Sequence, residues 1–229
     1  MKLPFDKVYC LHLAEAEYRY VTSKYYFEQV GVLDQIEYWW TVKRPFDCNC
    51  IEYFPALKNV YYDNYVSKNS SVYAAVFNCA YEHYTIVKQA YLRGFNSILI
   101  FEDDVKIHVN KEQFENIMNN VPSDFDIIQF YDTDRWYRKQ AYEIVDILEN
   151  KDFTKFIKPP TNLDKYSTLC YALSRNGMKE VIDIHDRLGL AIADKIFNEI
   201  DMTKLNYYIP EYITISPLRC TDDASYILN

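Results

Sequence analysis

Glycine is scarce in this chain, at 4 of 229 residues. Three of the four, Gly31, Gly94 and Gly189, fall where a helical stretch stops, the usual place for a residue that tolerates the left-handed conformation. Long apolar runs are missing too. No segment approaches the ~20 apolar residues of a membrane span, and the opening Met1-Lys2-Leu3-Pro4-Phe5-Asp6 lacks the apolar stretch of a signal peptide. The expectation is a cytoplasmic protein, with at most peripheral contact to the inner face of a membrane. Six cysteines (Cys10, Cys48, Cys50, Cys79, Cys170 and Cys220) show no framework spacing, and no second Cys or His pair answers Cys48-Asn49-Cys50 at finger distance. Disulfide scaffolds and zinc fingers are set aside, and a reducing compartment is expected. An excess of positive charge is also lacking: the formal net charge of -8 argues against nucleic acid as a partner. A small anion held through a metal is compatible with it.

What is present is the composition of one soluble α/β domain spanning residues 1–229, with 49% hydrophobic and 25% charged residues. Aromatics reach 17%, with 23 Tyr, so most rings must be core or boundary residues and not ligand contacts. Lys7 to Leu13 reads as a strand, Glu15 to Val30 as a helix and Ile36 to Val42 as a second strand, a β-α-β opening that implies a mostly parallel sheet. Asn69-Ser70-Ser71 caps a helix whose apolar residues Val72, Val76, Cys79, His83, Ile86 and Ala90 recur every three or four positions. It leads into the strand Ser97 to Phe101. Further on, the pattern predicts a helix over 110–120, strands over 125–130 and 168–173, a helix from the Ser174 cap to Arg187, and a short helix over 193–204. Residues 131–139 and 150–166 read as loops, and Lys151, Lys155 and Lys158 as hydrated surface. No repeat or domain boundary is visible.

Three acids, Glu102-Asp103-Asp104, come directly after the run Ser97-Ile98-Leu99-Ile100-Phe101. Acids at the carboxyl end of a buried strand stand on the rim where open α/β sheets bind ligands. Alternation along extended backbone puts Glu102 and Asp104 on one face and Asp103 on the other, so the first and third can converge on a hard cation, Mn2+ or Mg2+, that holds a diphosphate. The bland alternative is a solvated loop after a core strand.

Three stretches carry a resemblance to a known family: Ile98-Leu99-Ile100-Phe101-Glu102-Asp103-Asp104-Val105, Asn78-Cys79-Ala80-Tyr81-Glu82-His83 and Tyr171-Ala172-Leu173-Ser174-Arg175-Asn176-Gly177. With a first strand followed by an Arg, and a lone Asp downstream, their order resembles glycosyltransferase family twenty-five, the lipooligosaccharide β-galactosyltransferases and procollagen galactosyltransferases, over roughly residues 6 to 215. The chain departs from the family at His12, Asn78 and Glu82, where the family carries Asn, Gly and Ser. The resemblance implies a single-domain GT-A-type fold, a nucleotide-sugar donor such as a uridine diphosphate sugar, a glycan or lipid-linked glycan acceptor, and inversion at the anomeric carbon.

On that resemblance Leu11, His12 and Leu13 line the donor base and ribose, Arg19 lies near the phosphates or holds the loop, His83 supports the acids or the phosphate, and Asp103 bonds a ribose hydroxyl. The alternatives are core packing for Leu11, Leu13 and His83, a partly buried ring at His12 and a surface charge at Arg19. Inversion needs a base, and Asp194 is the first candidate, although helix capping would equally explain an Asp there. Asp132 and Asp134 are its rivals. With Arg135 and Trp136 they form an acceptor-side loop, since rings stack on sugars and Arg pairs with anionic groups; a solvated loop with one buried Trp is the other reading. Two further classes stay open: a metal-dependent phosphoester enzyme, which would want a second acidic pair at the first strand's end, and a silent nucleotide-sugar-binding protein.

Overall fold

The computed structural model describes residues 1–42, 70–131, 152–159, 167–188 and 193–218, with the backbone alone at 70–77 and 194–195. Strand β1 (Lys7–Leu13) is followed by helix α1 (Glu17–Gln29), a 3-10 turn (Leu33–Gln35) and β2 (Ile36–Thr41). Helix α2 (Ser70–Leu92) feeds β3 (Ser97–Glu102), and β4 (Val105–Ile107), α3 (Lys111–Asn119) and β5 (Ile127–Gln129) come next. Then come β6 (Phe156–Ile157), β7 (Cys170–Ser174), α4 (Arg175–Leu188), a 3-10 helix (Ala193–Glu199), β8 (Tyr207–Pro210) and β9 (Ile215–Pro217). Gly31 and Gly94 sit at φ of 73° and 84° just past α1 and α2, the left-handed stop expected of them. Asn110 caps α3 reciprocally with Gln113.

Seven strands form one sheet in the order β2-β1-β3-β7-β5-β8-β6, and β4 pairs with β9 in a small second sheet. β2, β1 and β3 are parallel neighbours, as are β5 and β8, while β7 and β6 run against theirs. The expected mostly parallel α/β architecture is therefore present, with β7 inserted antiparallel beside β3. Alternation along the strands sends Cys10, Leu99, Phe101 and Ala172 to the face covered by α1 and α3. Tyr9, Leu11, Ile98, Ile100, Tyr171 and Leu173 go to the face covered by α2 and α4.

Three elements differ from the expected pattern. β4 interrupts the stretch between the acids and α3, and the sequence does not show it because three residues are too few for alternation. β6 lies inside the stretch read as a loop and pairs with β8 through Phe156↔Pro210 and Ile157↔Ile209. The short helix that begins at Ala193 ends at Glu199 as a 3-10 helix and does not reach residue 204.

Candidate active site

The parallel register sets Leu11 opposite Glu102, so β3 ends at one edge of the sheet while β1 continues past it to Leu13. On the other flank β7 pairs Phe101 with Cys170, and the Glu102 N–H donates to the Leu169 carbonyl at 2.8 Å. The acids thus emerge between the end of β1 and the beginning of β7. The pleat separates their side chains: Glu102 continues the face of Ile98 and Ile100 toward α2, and Asp103 continues the face of Leu99 and Phe101 toward α1.

Glu102 is held from two sides. Its Oε1 accepts from Thr168 Oγ1 at 2.6 Å and lies 3.2 Å from His83 Nε2. His83 in turn sets Nδ1 2.9 Å from the Tyr171 hydroxyl. Burial alone would raise the Glu102 carboxyl; the bonds from His83 and Thr168 outweigh it and keep the group below the ordinary carboxylate range. Ser167, just before Thr168, has a φ of 105°, an uncommon conformation for a residue with a side chain, and its carbonyl accepts from Gln129 Nε2 at 2.8 Å. That bend delivers Thr168 to Glu102.

Asp103 is buried and engaged on both oxygens. Oδ2 lies 2.7 Å from His12 Nδ1 and accepts from the Leu13 N–H at 3.1 Å, and Oδ1 accepts from Arg19 Nη1 at 3.2 Å. His12 is wholly buried within the rings of Tyr20, Tyr38 and Trp40, at 5.5, 6.2 and 4.7 Å between centroids. Its position is therefore one that fastens β1 to the acidic turn from inside. Leu11 is buried against the α2 face and Leu13 is half-buried. Burial works against the charge on Arg19, but Asp104 and Asp103 outweigh it and hold the guanidinium firmly protonated.

Asp104 differs from both neighbours. It lies in the turn between β3 and β4, with Oδ2 3.8 Å from Arg19 Nη1 and its backbone carbonyl accepting from the Leu218 N–H at 2.6 Å. Its Oδ1 is buried and has no hydrogen-bond partner among the described residues. Burial, and then the charge of Glu102, push its carboxyl up to about 7 against the opposing pull of Arg19. A buried carboxylate oxygen beside two more acids and without a donor has the character of an open cation ligand, and oxygen donors suit Mg2+ or Mn2+.

Thr168 carries no sequence signal of its own, and the motifs that contain Tyr171 and Glu82 do not reveal which partners these two meet. Thr168 and Tyr171 reach the site only because β7 lies antiparallel to β3. Glu82 is buried and bridges α2 to β2, accepting from Trp39 Nε1 at 2.8 Å and Thr41 Oγ1 at 3.1 Å. Asp194 occupies the second position of the 3-10 helix after α4. Asp132, Asp134, Arg135 and Trp136 lie outside the described residues.

A family model described as Glycosyltransferase family 25 (LPS biosynthesis protein) matches residues 56–196. The match takes in the α2 motif, the three acids, the β7–α4 junction and Asp194, but not β1 and α1. No curated protein matches. Among solved structures, the chain is similar to a glycosyltransferase involved in glycosylation of the major capsid of PBCV-1, with 8% identity, 89% of this chain and 79% of that one covered, and a TM-score of 0.46. It is also similar to mouse xyloside xylosyltransferase 1 in its apo form, with 9% identity, 96% and 99% covered, and a TM-score of 0.40.

Proposed function

Since the chain belongs to glycosyltransferase family 25, we propose that this glycosyltransferase moves a hexose, galactose first among the candidates, from a uridine diphosphate sugar to a hydroxyl of a glycan or lipid-linked glycan. The product would serve a lipooligosaccharide or surface polysaccharide, and the reaction would invert the anomeric carbon. The Asp104 carboxyl carries this reading: its buried Oδ1 has no hydrogen-bond partner among the described residues, at the carboxyl end of β3 where a diphosphate would lie. Asp104 and Glu102 would hold the cation. Bound Mn2+ or Mg2+ supplies Lewis-acid neutralisation of the charge that develops on the departing diphosphate.

The chain's own residues do the rest. His83 and Thr168 keep Glu102 ionised and fixed in direction, while His12 and Arg19 lock Asp103, so the turn is preorganised before any donor arrives. Leu11 and Leu13, at the end of β1, stand at the edge assigned to base and ribose. Asp194 is assigned the acceptor proton, and Trp136 the acceptor sugar face.

Turnover of a panel of nucleotide sugars with Mn2+, with and without a chelator, tests the reading. Metal-dependent sugar transfer or slow donor hydrolysis supports it; cleavage of simple phosphate esters, or donor binding with no turnover under any condition, would overturn it. Asp194→Asn keeps size and capping ability but not basicity, so transfer should fall ~10²–10⁴-fold while donor affinity is kept. Near-normal transfer by that variant moves the base to Asp132 or Asp134.

A further inference from the structure

Three potential metal ligands of different kinds meet on the α2 side of Glu102. Cys79 and His83 are one helical turn apart on α2, and the Cys79 sulfur, a His83 ring nitrogen and a Glu102 oxygen all lie within 4.8 Å of one another. This set of thiol, imidazole and carboxylate is unlike the all-oxygen ligands that suit Mg2+ or Mn2+, and it matches the ligands of zinc. Zinc bonds of about 2.0–2.3 Å set neighbouring ligand atoms about 3.3–3.7 Å apart around a tetrahedron. His83 Nε2 and Glu102 Oε1 are already 3.2 Å apart, close to that spacing, and the Cys79 sulfur lies within 4.8 Å of a ring nitrogen and a carboxylate oxygen of the same two residues.

The surroundings support occupancy. Tyr171 faces the far nitrogen of His83 at 2.9 Å, and a hydroxyl can donate to that nitrogen or accept from it. With no ion, Nε2–H points at Glu102 and the tyrosine donates to Nδ1. With an ion, the ring takes the other tautomer, Nε2 turns its lone pair to the metal, and Nδ1–H donates to the tyrosine, the outer support common to metal-bound histidines. The thiol of Cys79 releases its proton to solvent in the same step. Cys79 is partly exposed, which gives an entry path.

We infer that Cys79, His83 and Glu102 form a zinc-class site that overlaps the acidic turn, so that zinc inhibits the enzyme by drawing Glu102 away from the donor. The binding half stands on geometry alone; the inhibitory half rests on the proposed function.

Titration of the full chain with Co2+, a spectroscopic stand-in for zinc, tests the binding half, using wild type, Cys79→Ser and Cys48→Ser/Cys50→Ser. Wild type and the double variant should develop a thiolate-to-cobalt charge-transfer band that Cys79→Ser lacks. Against a chromogenic chelator, Cys79→Ser should hold zinc ~10-fold more weakly or worse, since even outer-shell losses cost metal sites that much. No band in wild type, a band that survives Cys79→Ser, or one lost in the double variant would overturn the site. Matching far-ultraviolet circular dichroism excludes misfolding as the cause. Zinc should suppress Mn2+-supported transfer by wild type but much less by Cys79→Ser, and equal suppression of both overturns the inhibitory half. Should no donor be turned over, the cobalt spectra still decide whether the site exists.

Discussion

Asp104 holds a negative charge in a poor place for one, and its two neighbours do not. Glu102 and Asp103 are each met by several donors, whereas Asp104 has one buried oxygen with none among the described residues and a carboxyl pushed up to about 7. A carboxyl whose folded pKa lies above its unfolded value binds more protons folded than unfolded across the interval between them, so stability is lost as pH rises from about 4 to 7. Without a divalent ion, Asp104→Asn should therefore melt higher than wild type at pH 8, by on the order of 1–3 kcal/mol, and the gain should vanish near pH 4. The same substitution should remove most transfer activity. Thermal melts at the two pH values check the first expectation, and an unchanged or lowered melting point at pH 8 would show that the charge is already compensated. On the proposed metal role of Asp104, binding of Mn2+ would release the Asp104 proton, so the apparent Kd for Mn2+, by calorimetry, should weaken ~10-fold per pH unit below about 7 and level off above it.

At the scale of elements, the junction between β7 and α4 is built by close approach. A Cβ at Gly177 would lie 2.1 Å from the Asp126 carbonyl oxygen, so the first turn of α4 sits directly on the backbone entering β5. Ser174 Oγ accepts from the Gly177 N–H at 3.2 Å and donates to Asp126 at 2.9 Å, closing the same contact. Arg175 stacks over Tyr91 at 4.2 Å and donates to the Tyr91 and Phe95 carbonyls at 3.2 and 3.3 Å, which ties α4 to the end of α2. Gly177→Ala must push the helix off the strand and should cost ~1–3 kcal/mol, read as a lower midpoint in urea. A variant as stable as wild type would mean that α4 shifts at no cost. The Ser-Arg-Asn-Gly run is thus legible as a helix start, but the need for glycine inside it is not, because Asp126 is distant in the chain. β4 and β6 were illegible for a simpler reason: segments of three and two residues carry no period.

Over the whole molecule, one seven-stranded sheet with a large apolar cluster on each face leaves no seam among the described residues. Far-ultraviolet circular dichroism and tryptophan fluorescence should therefore report one coincident unfolding transition, and two separated transitions would divide the chain into units. No helix among the described residues is long and apolar enough to cross a membrane. The sequence by itself determined the strands and helices long enough to show a period, the helix stops at Gly31 and Gly94, and the position of the three acids at a strand's end. Each depends on neighbours in the chain, where alternation, 3.6-residue periodicity and capping operate. Only the tertiary structure decided what each acid does. β7 runs antiparallel into the sheet and brings Thr168 and Tyr171 to Glu102 and His83, while β1 and α1 turn His12 and Arg19 onto Asp103. Protonation and ligand character depend on which donors a carboxyl meets, and those partners lie 19 residues away along the chain for His83 and 66 to 91 for Thr168, Arg19 and His12.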